Sequence, residues 1–316
     1  MADHPEPAPG APSITYRFVR HAGCPMCGAS IAEARMHGLR LNRSQGLNPR
    51  HKPGIAVSIM RCGSCGLMFP DPMPVPERLE DHYGIPPESY WQGASLDPEP
   101  GYFARQMEAV QQLLPGCRPV RVIDIGLGVG KAAQAMRAQG FDVWGMEPSR
   151  PFYERAVKAL GVDPQRFQHA TLEEARFPES SFDFVTFGAV LEHLHHPDAA
   201  LLRALSWLRP GGIIHAEVPN ARYLVARLLN LWFRLMGTTF VSNLSPMHSP
   251  FHIYEFTERS FRLHGARRGH AVALSWMDAG RDPNLPAMLD PVLRSIMART
   301  GTGMQLTVFL RKEQAA

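Results

Sequence analysis

Val122-Ile-Asp-Ile-Gly-Leu-Gly-Val-Gly130 decides the fold, because an apolar strand carrying one carboxylate runs straight into three glycines at alternate positions. About twenty residues later, Phe141-Asp-Val-Trp-Gly-Met-Glu147 reads as a second short strand, ending on an acid placed to hold a pair of ribose hydroxyls. Together they form a nucleoside-binding βαβ unit. A dinucleotide site asks for G-x-G-x-x-G, with the third glycine letting the helix pack beside a pyrophosphate. Here Gly126, Gly128 and Gly130 read G-x-G-x-G, and Lys131 stands where that third glycine would fall. A P-loop fits worse, since Ile125 occupies the position of its first glycine and Ala132 follows the lysine where Ser or Thr is required.

This pattern resembles motif I of the class I S-adenosylmethionine (SAM) methyltransferases. The resemblance implies that Asp124 helps hold the methionine end of SAM, that Gly126, Gly128 and Gly130 bring the backbone against the cofactor, and that Glu147 takes the ribose hydroxyls. Ala170-Thr-Leu-Glu-Glu-Ala-Arg-Phe-Pro-Glu-Ser-Ser-Phe-Asp-Phe-Val185 is similar to the family's adenine-side turn and fourth strand, which places Thr171 and Leu172 beside the adenine. Phe187-Gly-Ala-Val-Leu-Glu-His-Leu194 is similar to motif IV, with Phe187 on the cofactor side, and Leu208-Arg-Pro-Gly-Gly212 to the turn before the fifth strand. Four matches in the right order span roughly residues 120 to 220.

Bulk properties agree without discriminating. A chain of 316 residues supports about two domains. The balance of 33 basic against 29 acidic residues, a net +4, contains no polybasic tract, so nucleic acid is not an expected partner. No stretch approaches the roughly 18–20 apolar residues of a membrane span, and Met1 to Pro12 is Pro/Ala-rich rather than a charged-then-apolar signal. A soluble cytoplasmic protein is the expectation.

Four of the five cysteines form two knuckles, Cys24-Pro-Met-Cys27-Gly and Cys62-Gly-Ser-Cys65-Gly, with 34 residues between the inner pair. Four thiolates from two such turns make a tetrahedral structural Zn(II) site with no vacant position. An inserted hairpin or loop, with Gly46, Pro49, Pro53 and Gly54 as turn formers, accounts for the long gap. Redox dithiols or disulfides are the competing reading, disfavoured in a reducing cytosol. Cys117 stands alone. A ribbon ending in Cys62-Gly-Ser-Cys-Gly-Leu-Met-Phe-Pro-Asp-Pro72 and followed by a methyltransferase core resembles a bacterial group of small-molecule methyltransferases that includes sugar C-methyltransferases.

The expected architecture is an α/β, doubly wound Rossmann-like seven-stranded sheet with a small N-terminal zinc-ribbon domain. A disordered tail is expected over 1–14, the zinc ribbon over 15–75, a helical linker or cap over 76–118, and the SAM-binding domain over 119–316. Within the cap, helix is expected near Glu77 to Tyr83, followed by Ser89-Tyr-Trp91, and again over Gly101 to Leu114. Strands are predicted at 120–125, 141–146, 182–187 and 213–218, with a final antiparallel strand at 302–311 paired to 271–276. Residues 221–260 are the expected substrate lid. Its helix, Tyr223 to Met236, has only Arg227, Asn230 and Arg234 polar, and reads as a core or dimer-interface helix, a lid over a lipophilic acceptor, or a membrane-surface patch.

Ser245-Pro-Met-His-Ser-Pro-Phe-His-Ile-Tyr-Glu-Phe-Thr257 carries the His-x-Tyr-x-Phe-Thr phrase that the family commonly places over its active site. Methyl transfer from a sulfonium is an in-line displacement, with a base where the acceptor loses a proton. His252 is the expected base, with His248 and Tyr254 behind it, and His193 is expected to pack or orient its loop. The sugar enzymes carry a denser His-Glu-His cluster where this chain has Pro250-Phe251-His252. The function expected is SAM-dependent methyl transfer to a small-molecule acceptor: a natural product, nucleotide sugar or lipophilic metabolite. The alternative is a non-catalytic protein of the same fold whose ribbon binds RNA or protein.

Overall fold

A computed structural model describes residues 14–78, 82, 87, 96–161, 163, 165–280 and 288–313. The expected tail, Ser89-Tyr-Trp91 and most of the predicted helix near 77–83 lie outside the described residues. The N-terminal module contains β1 (Tyr16–Val19), β2 (Ala34–Leu41), β3 (Ala56–Cys62), β4 (Met68–Pro70) and β5 (Met73–Pro76). β2, β3 and β4 form an antiparallel sheet, and β1 pairs with β5. The long gap between the knuckles is thus a hairpin whose arms are β2 and β3.

After α1 (Ala104–Leu113) the alternating unit begins: β6 (Arg121–Ile125), α2 (Lys131–Ala138), β7 (Asp142–Glu147), α3 (Arg150–Leu160), β8 (Phe167–His169), β9 (Phe182–Gly188), α4 (Pro197–Trp207) and β10 (Leu208–Pro219). Then follow α5 (Leu224–Leu235), α6 (Glu258–Arg268), β11 (His270–Asp278), α7 (Asp290–Thr300) and β12 (Gln305–Lys312). Seven strands form one sheet in the order β11-β12-β10-β9-β6-β7-β8, parallel except for β12, which runs antiparallel to both neighbours. Helices on both faces explain why β6 and β9 read as continuous apolar runs: each is buried on two sides. Arg209 to Gly212, expected as a turn, is instead an irregular stretch inside β10, where the register with β9 shifts between Leu208 and Ile213.

Among the described residues, the cysteine module has no hydrophobic cluster separate from the rest of the chain. Met26, Cys62, Cys65, Leu67 and Phe69 belong to one hydrophobic cluster with Leu191, Tyr254, Phe256 and Phe261 beside the large sheet. Hydrogen bonds fix the junction: Thr257 Oγ1 donates to the Cys65 carbonyl at 2.6 Å, and Arg267 to the Met26 carbonyl at 2.9 Å. Thr257 also caps α6 by accepting from Ser260 N. Among the described residues no helix is long and apolar enough to cross a membrane.

Candidate active site

The carboxyl ends of β6, β7 and β9 converge at the switch point of the sheet, where strand order reverses. Gly126 N–H and Leu127 N–H both donate to the Met146 carbonyl, at 2.9 and 3.0 Å, so the turn after β6 is pinned across the end of β7. Gly126 adopts φ 71°, and a β-carbon there would lie 2.7 Å from Val190 Cγ2. Backbone conformation and space therefore both exclude a side chain. Glu147 accepts Gly128 N–H through Oε2 and Ser149 N–H through Oε1, each at 2.9 Å. A carboxylate so held keeps lone pairs for further donors.

Asp124 is 4 % exposed, and its Oδ2 has no hydrogen-bond partner among the described residues. Burial, reinforced by the Glu147 charge, pushes its carboxyl up to about 8, and burial raises Glu147 to about 7 against the pull of its two backbone donors. A buried acceptor left unpaired calls for a partner, and a bound donor group would satisfy it. It also has a stability consequence. In the folded chain Asp124 keeps its proton up to about 8, whereas the unfolded carboxyl ionises near 3.8. The folded state thus holds the extra proton between these limits, and the contribution of Asp124 to stability declines as pH rises from about 4 to about 8. Asp124→Asn should therefore gain stability relative to the parent as pH is raised from 5 to 8 in thermal melts. A constant difference across that range would rule out the raised pKa.

Tyr102, Gln106 and Glu217 lie near Asp124 at this end of the sheet. The Tyr102 phenol is pushed up to about 12 by burial and by the carboxyls of Asp124 and Glu217, Lys131 Nζ lies 6.0 Å from its ring, and Gln106 Nε2 donates to Glu217 Oε2 at 3.2 Å. Sequence reading missed all three. Glu217 carried a usable signal, an acid within the apolar run of β10, whereas Tyr102 precedes a helix with nothing to mark it.

The remaining predicted cofactor contacts are placed unequally. Thr171 has its N–H and hydroxyl on Glu174 Oε2, at 3.1 and 3.0 Å, a local cap that shapes the turn after β8. Leu172 is largely buried and borders a surface groove with Glu173, Arg176 and Arg203. The Phe187 side chain is fully buried in the core, and only the backbone of that segment is left to face a ligand.

On the acceptor side, the turn after β9 brings Glu192 and His193 against His252. Ile253 N–H donates to the Glu192 carbonyl at 2.9 Å, tying the two segments. Glu192 Oε1 lies 3.8 Å from His193 Nε2 and 3.9 Å from His252 Nε2, and the imidazole centroids are 4.9 Å apart. His193 Nδ1 lies 3.3 Å from the Phe251 carbonyl. Burial lowers His193 to about 4 and His252 well below its ordinary value, with the neighbouring histidines His193 and His248 lowering His252 further. Burial also raises Glu192 to about 8. Ala189 at φ 55° and Phe251 at φ 63° hold left-handed backbone, where a side chain costs about 1–2 kcal/mol, and the two flank this cluster. His248 is partly buried, its Nδ1 2.8 Å from the Ser249 carbonyl.

Tyr254 does not belong to this cluster as a reactive group. It is fully buried, its hydroxyl donates to the His195 carbonyl at 3.0 Å, and burial drives its phenol well above the ordinary range. The candidate catalytic role is corrected to a structural one.

The segment read as a lid is packed on the cysteine module for much of its length. Leu39 N–H donates to the Thr239 carbonyl at 2.9 Å, Arg40 Nε to the Leu244 carbonyl at 2.7 Å, and Asn230 Nδ2 lies 3.2 Å from His37 Nε2. α5 turns Val225, Ala226, Asn230 and Phe233 inward and leaves Leu228, Leu231, Trp232 and Leu235 exposed. Within the segment, His252 to Tyr254 is the part that reaches Glu192.

The four knuckle cysteines converge. Cys24 Sγ lies 3.5 Å from Cys65 Sγ, Cys27 Sγ 3.6 Å from Cys62 Sγ, and all four sulfurs are within 4.8 Å of one another with no disulfide between them. Tetrahedral zinc with Zn–S bonds of about 2.3 Å requires edges of roughly 3.8 Å. Gly28 at φ 71° and Gly66 at φ 79° close the two turns, each donating its N–H to the carbonyl of the first cysteine.

Residues 101–273 match the family model described as a methyltransferase domain, which is more than half of the chain. The chain is 32 % identical over 147 residues to the ubiquinone biosynthesis O-methyltransferase of Alkalilimnicola ehrlichii, covering 45 % of this chain and 56 % of that one. It is 34 % identical over 115 residues to the tRNA 5-carboxymethoxyuridine methyltransferase of Escherichia coli, covering 35 % and 44 %. It is 27 % identical over 200 residues to the 2-methyl-6-phytyl-1,4-hydroquinone methyltransferase of Synechocystis sp., covering 62 % and 59 %. The chain thus spans about half the length of the curated relatives it matches. With its glycine turn, acid-tipped second strand and seven-stranded mixed sheet, the chain belongs to the methyltransferase-domain family, within the class I SAM-dependent methyltransferases.

Proposed function

We propose that this protein transfers the methyl group of SAM to a small-molecule acceptor, and that the cleft between the glycine turn and the Glu192 turn is where it does so. The observation that carries the reading is Asp124: a buried carboxylate with an orphaned oxygen, beside a glycine turn that a single β-carbon would obstruct. Asp124 receives the amino end of the methionine moiety, Glu147 takes the ribose hydroxyls with the lone pairs its backbone donors leave, and Gly126, Gly128 and Gly130 allow close approach. Thr171 and Leu172 border the adenine. SAM, when bound, supplies an electrophilic methyl on a sulfonium. The chain's own task is then to align the acceptor and keep water out. Tyr102 and Glu217 close one side, and the neutral His252 offers its lone pair toward the acceptor. Two of the relatives named above bear quinone or hydroquinone names, which favours a small acceptor over a nucleic acid, as does the absence of a polybasic tract.

The same reading divides the chain into a zinc-bound module over about 15–75, a connector, and the SAM-binding part from about 119. Cys24, Cys27, Cys62 and Cys65 hold a structural Zn(II), with every position of the metal filled by protein. Its role is to brace the hairpin on which the 238–256 segment rests.

Glu147→Ala should weaken SAM or S-adenosylhomocysteine by about 1–3 kcal/mol through lost charge-assisted hydrogen bonds. Calorimetry on parent and variant measures this. Equal affinities would remove Glu147 from the cofactor site.

A further inference from the structure

We propose that Glu192, His193 and His252 form a second metal site, distinct from the four cysteines, that binds a divalent cation with N/O-type ligands at the acceptor end of the cleft. This rests on the methyl-transfer reading only for what the ion does, not for whether it binds.

Three observations support it. The candidate ligand atoms of Glu192, His193 and His252 all lie within 4.8 Å of one another. An ion held about 2.1 Å from each needs edges of roughly 3.0–3.5 Å. The carboxylate-to-imidazole separations of 3.8 and 3.9 Å close to that with small side-chain rotations. Second, Glu192 is 2 % exposed: Oε1 is the oxygen that faces both imidazoles, and Oε2 has no hydrogen-bond partner among the described residues, so the buried acid lacks the donors that burial of its charge would require. Third, His193 Nδ1 faces the Phe251 carbonyl at 3.3 Å. A proton on Nδ1 fixes the tautomer that turns the Nε2 lone pair toward Glu192, the arrangement by which metal-bound histidines are ordinarily oriented. The Phe251 carbonyl is presented by left-handed backbone immediately before His252.

The position suits a role in the reaction. Glu192 follows the turn after β9, whose Val190 packs against Gly126. The carboxyl of Glu217, which borders Tyr102 and Asp124, is near enough to raise Glu192 further. The His252 side chain is 31 % exposed, which gives an ion a path in. Three protein ligands leave coordination positions open, and two imidazoles with one carboxylate suit a first-row divalent ion better than the thiolate set does. With an ion bound, His252 is a ligand rather than a base, and an acceptor that presents a hydroxyl oxygen to the ion would lose its proton to water more readily, which favours oxygen-bearing acceptors.

The test is a titration of Mn(II) into the full-length protein, purified without added divalent metal and shown by elemental analysis to carry no more than one zinc per chain, followed by loss of the free-ion paramagnetic resonance signal. Mn(II) does not compete with zinc for thiolates. One saturable Mn(II) per chain is expected, bound at least 10-fold more weakly by Glu192→Gln and by His252→Ala, with SAM affinity unchanged in both. If Glu192→Gln fails to fold, His252→Ala alone decides, because that side chain reaches solvent. No saturable Mn(II) binding in the parent, or equal binding by His252→Ala, would overturn the site. A parent that binds Mn(II) but not SAM would keep the site and overturn the methyl-transfer reading instead.

Discussion

His252→Ala is expected to lower turnover by about 10²–10⁴ while leaving SAM affinity where it was, the range usual for loss of a group that manages a proton in the transition state. The separation of the two effects follows from position. The proposed SAM contacts come from turns after β6, β7 and β8, whereas His252 arrives on the segment after α5 and touches the cluster after β9. Its ring is neutral near pH 7, because burial and the flanking histidines His193 and His248 oppose its charging. Steady-state rates with an accepted substrate, alongside calorimetry with SAM, check this. Near-normal turnover would make the histidine structural and leave the acceptor to react without protein assistance.

Cys65→Ser is expected to cost the protein its zinc and, with it, several kcal/mol of stability, since coordination supplies folding free energy directly. At about 2–4 °C per kcal/mol, the melting temperature should fall by roughly 10 °C or more. The loss should travel beyond the knuckles. Cys65 presents its carbonyl to Thr257, the cap of α6, and Met26, Cys62 and Cys65 share one hydrophobic cluster with Leu191 and Phe256. Cys117→Ser, a lone and partly exposed thiol, is the control and should leave zinc content unchanged. Elemental analysis of the parent showing no zinc, or a Cys65→Ser variant that melts with the parent, would contradict the assignment.

Much of the fold was legible because its central strands are doubly buried and so read as apolar runs. Val122 to Ile125, Phe182 to Phe187 and Ile213 to Val218 each appear where the pattern places them. β8 was not located, since Phe167-Gln-His169 is three residues at a sheet edge with one buried side chain and no periodicity to detect. The cysteine spacing announced a cluster, but not that its hydrophobic core would be continuous with the large sheet. That continuity depends on side chains such as Met26 and Phe69 meeting residues some two hundred positions away in sequence. The same holds for the segment 221–260: an apolar helix reads the same whether it covers a cleft or lies along a module, and the deciding contacts, Asn230 with His37 and Arg40 with Leu244, are tertiary.

The site was legible where backbone geometry demands a residue type. Gly126, at φ 71° with Val190 against it, is such a position. Where side chains act through what surrounds them, the sequence was silent or misleading. Tyr254 matched a familiar phrase but is buried with its hydroxyl bonded to a carbonyl, and Phe187 is enclosed by the core. Glu192, read only as part of a motif, proves to be a buried acid with Oε1 3.8 and 3.9 Å from two imidazole nitrogens and Oε2 unpartnered among the described residues. Burial and pairing of that kind arise only once β9 and the 248–253 segment are brought together.

Calorimetric titration of the full-length protein with SAM, and in parallel with NAD, tests the central claim most directly. Binding of SAM at micromolar levels, weakened in Glu147→Ala, with no heat from NAD, is the expected result. No binding of SAM or S-adenosylhomocysteine together with clear binding of NAD would contradict it.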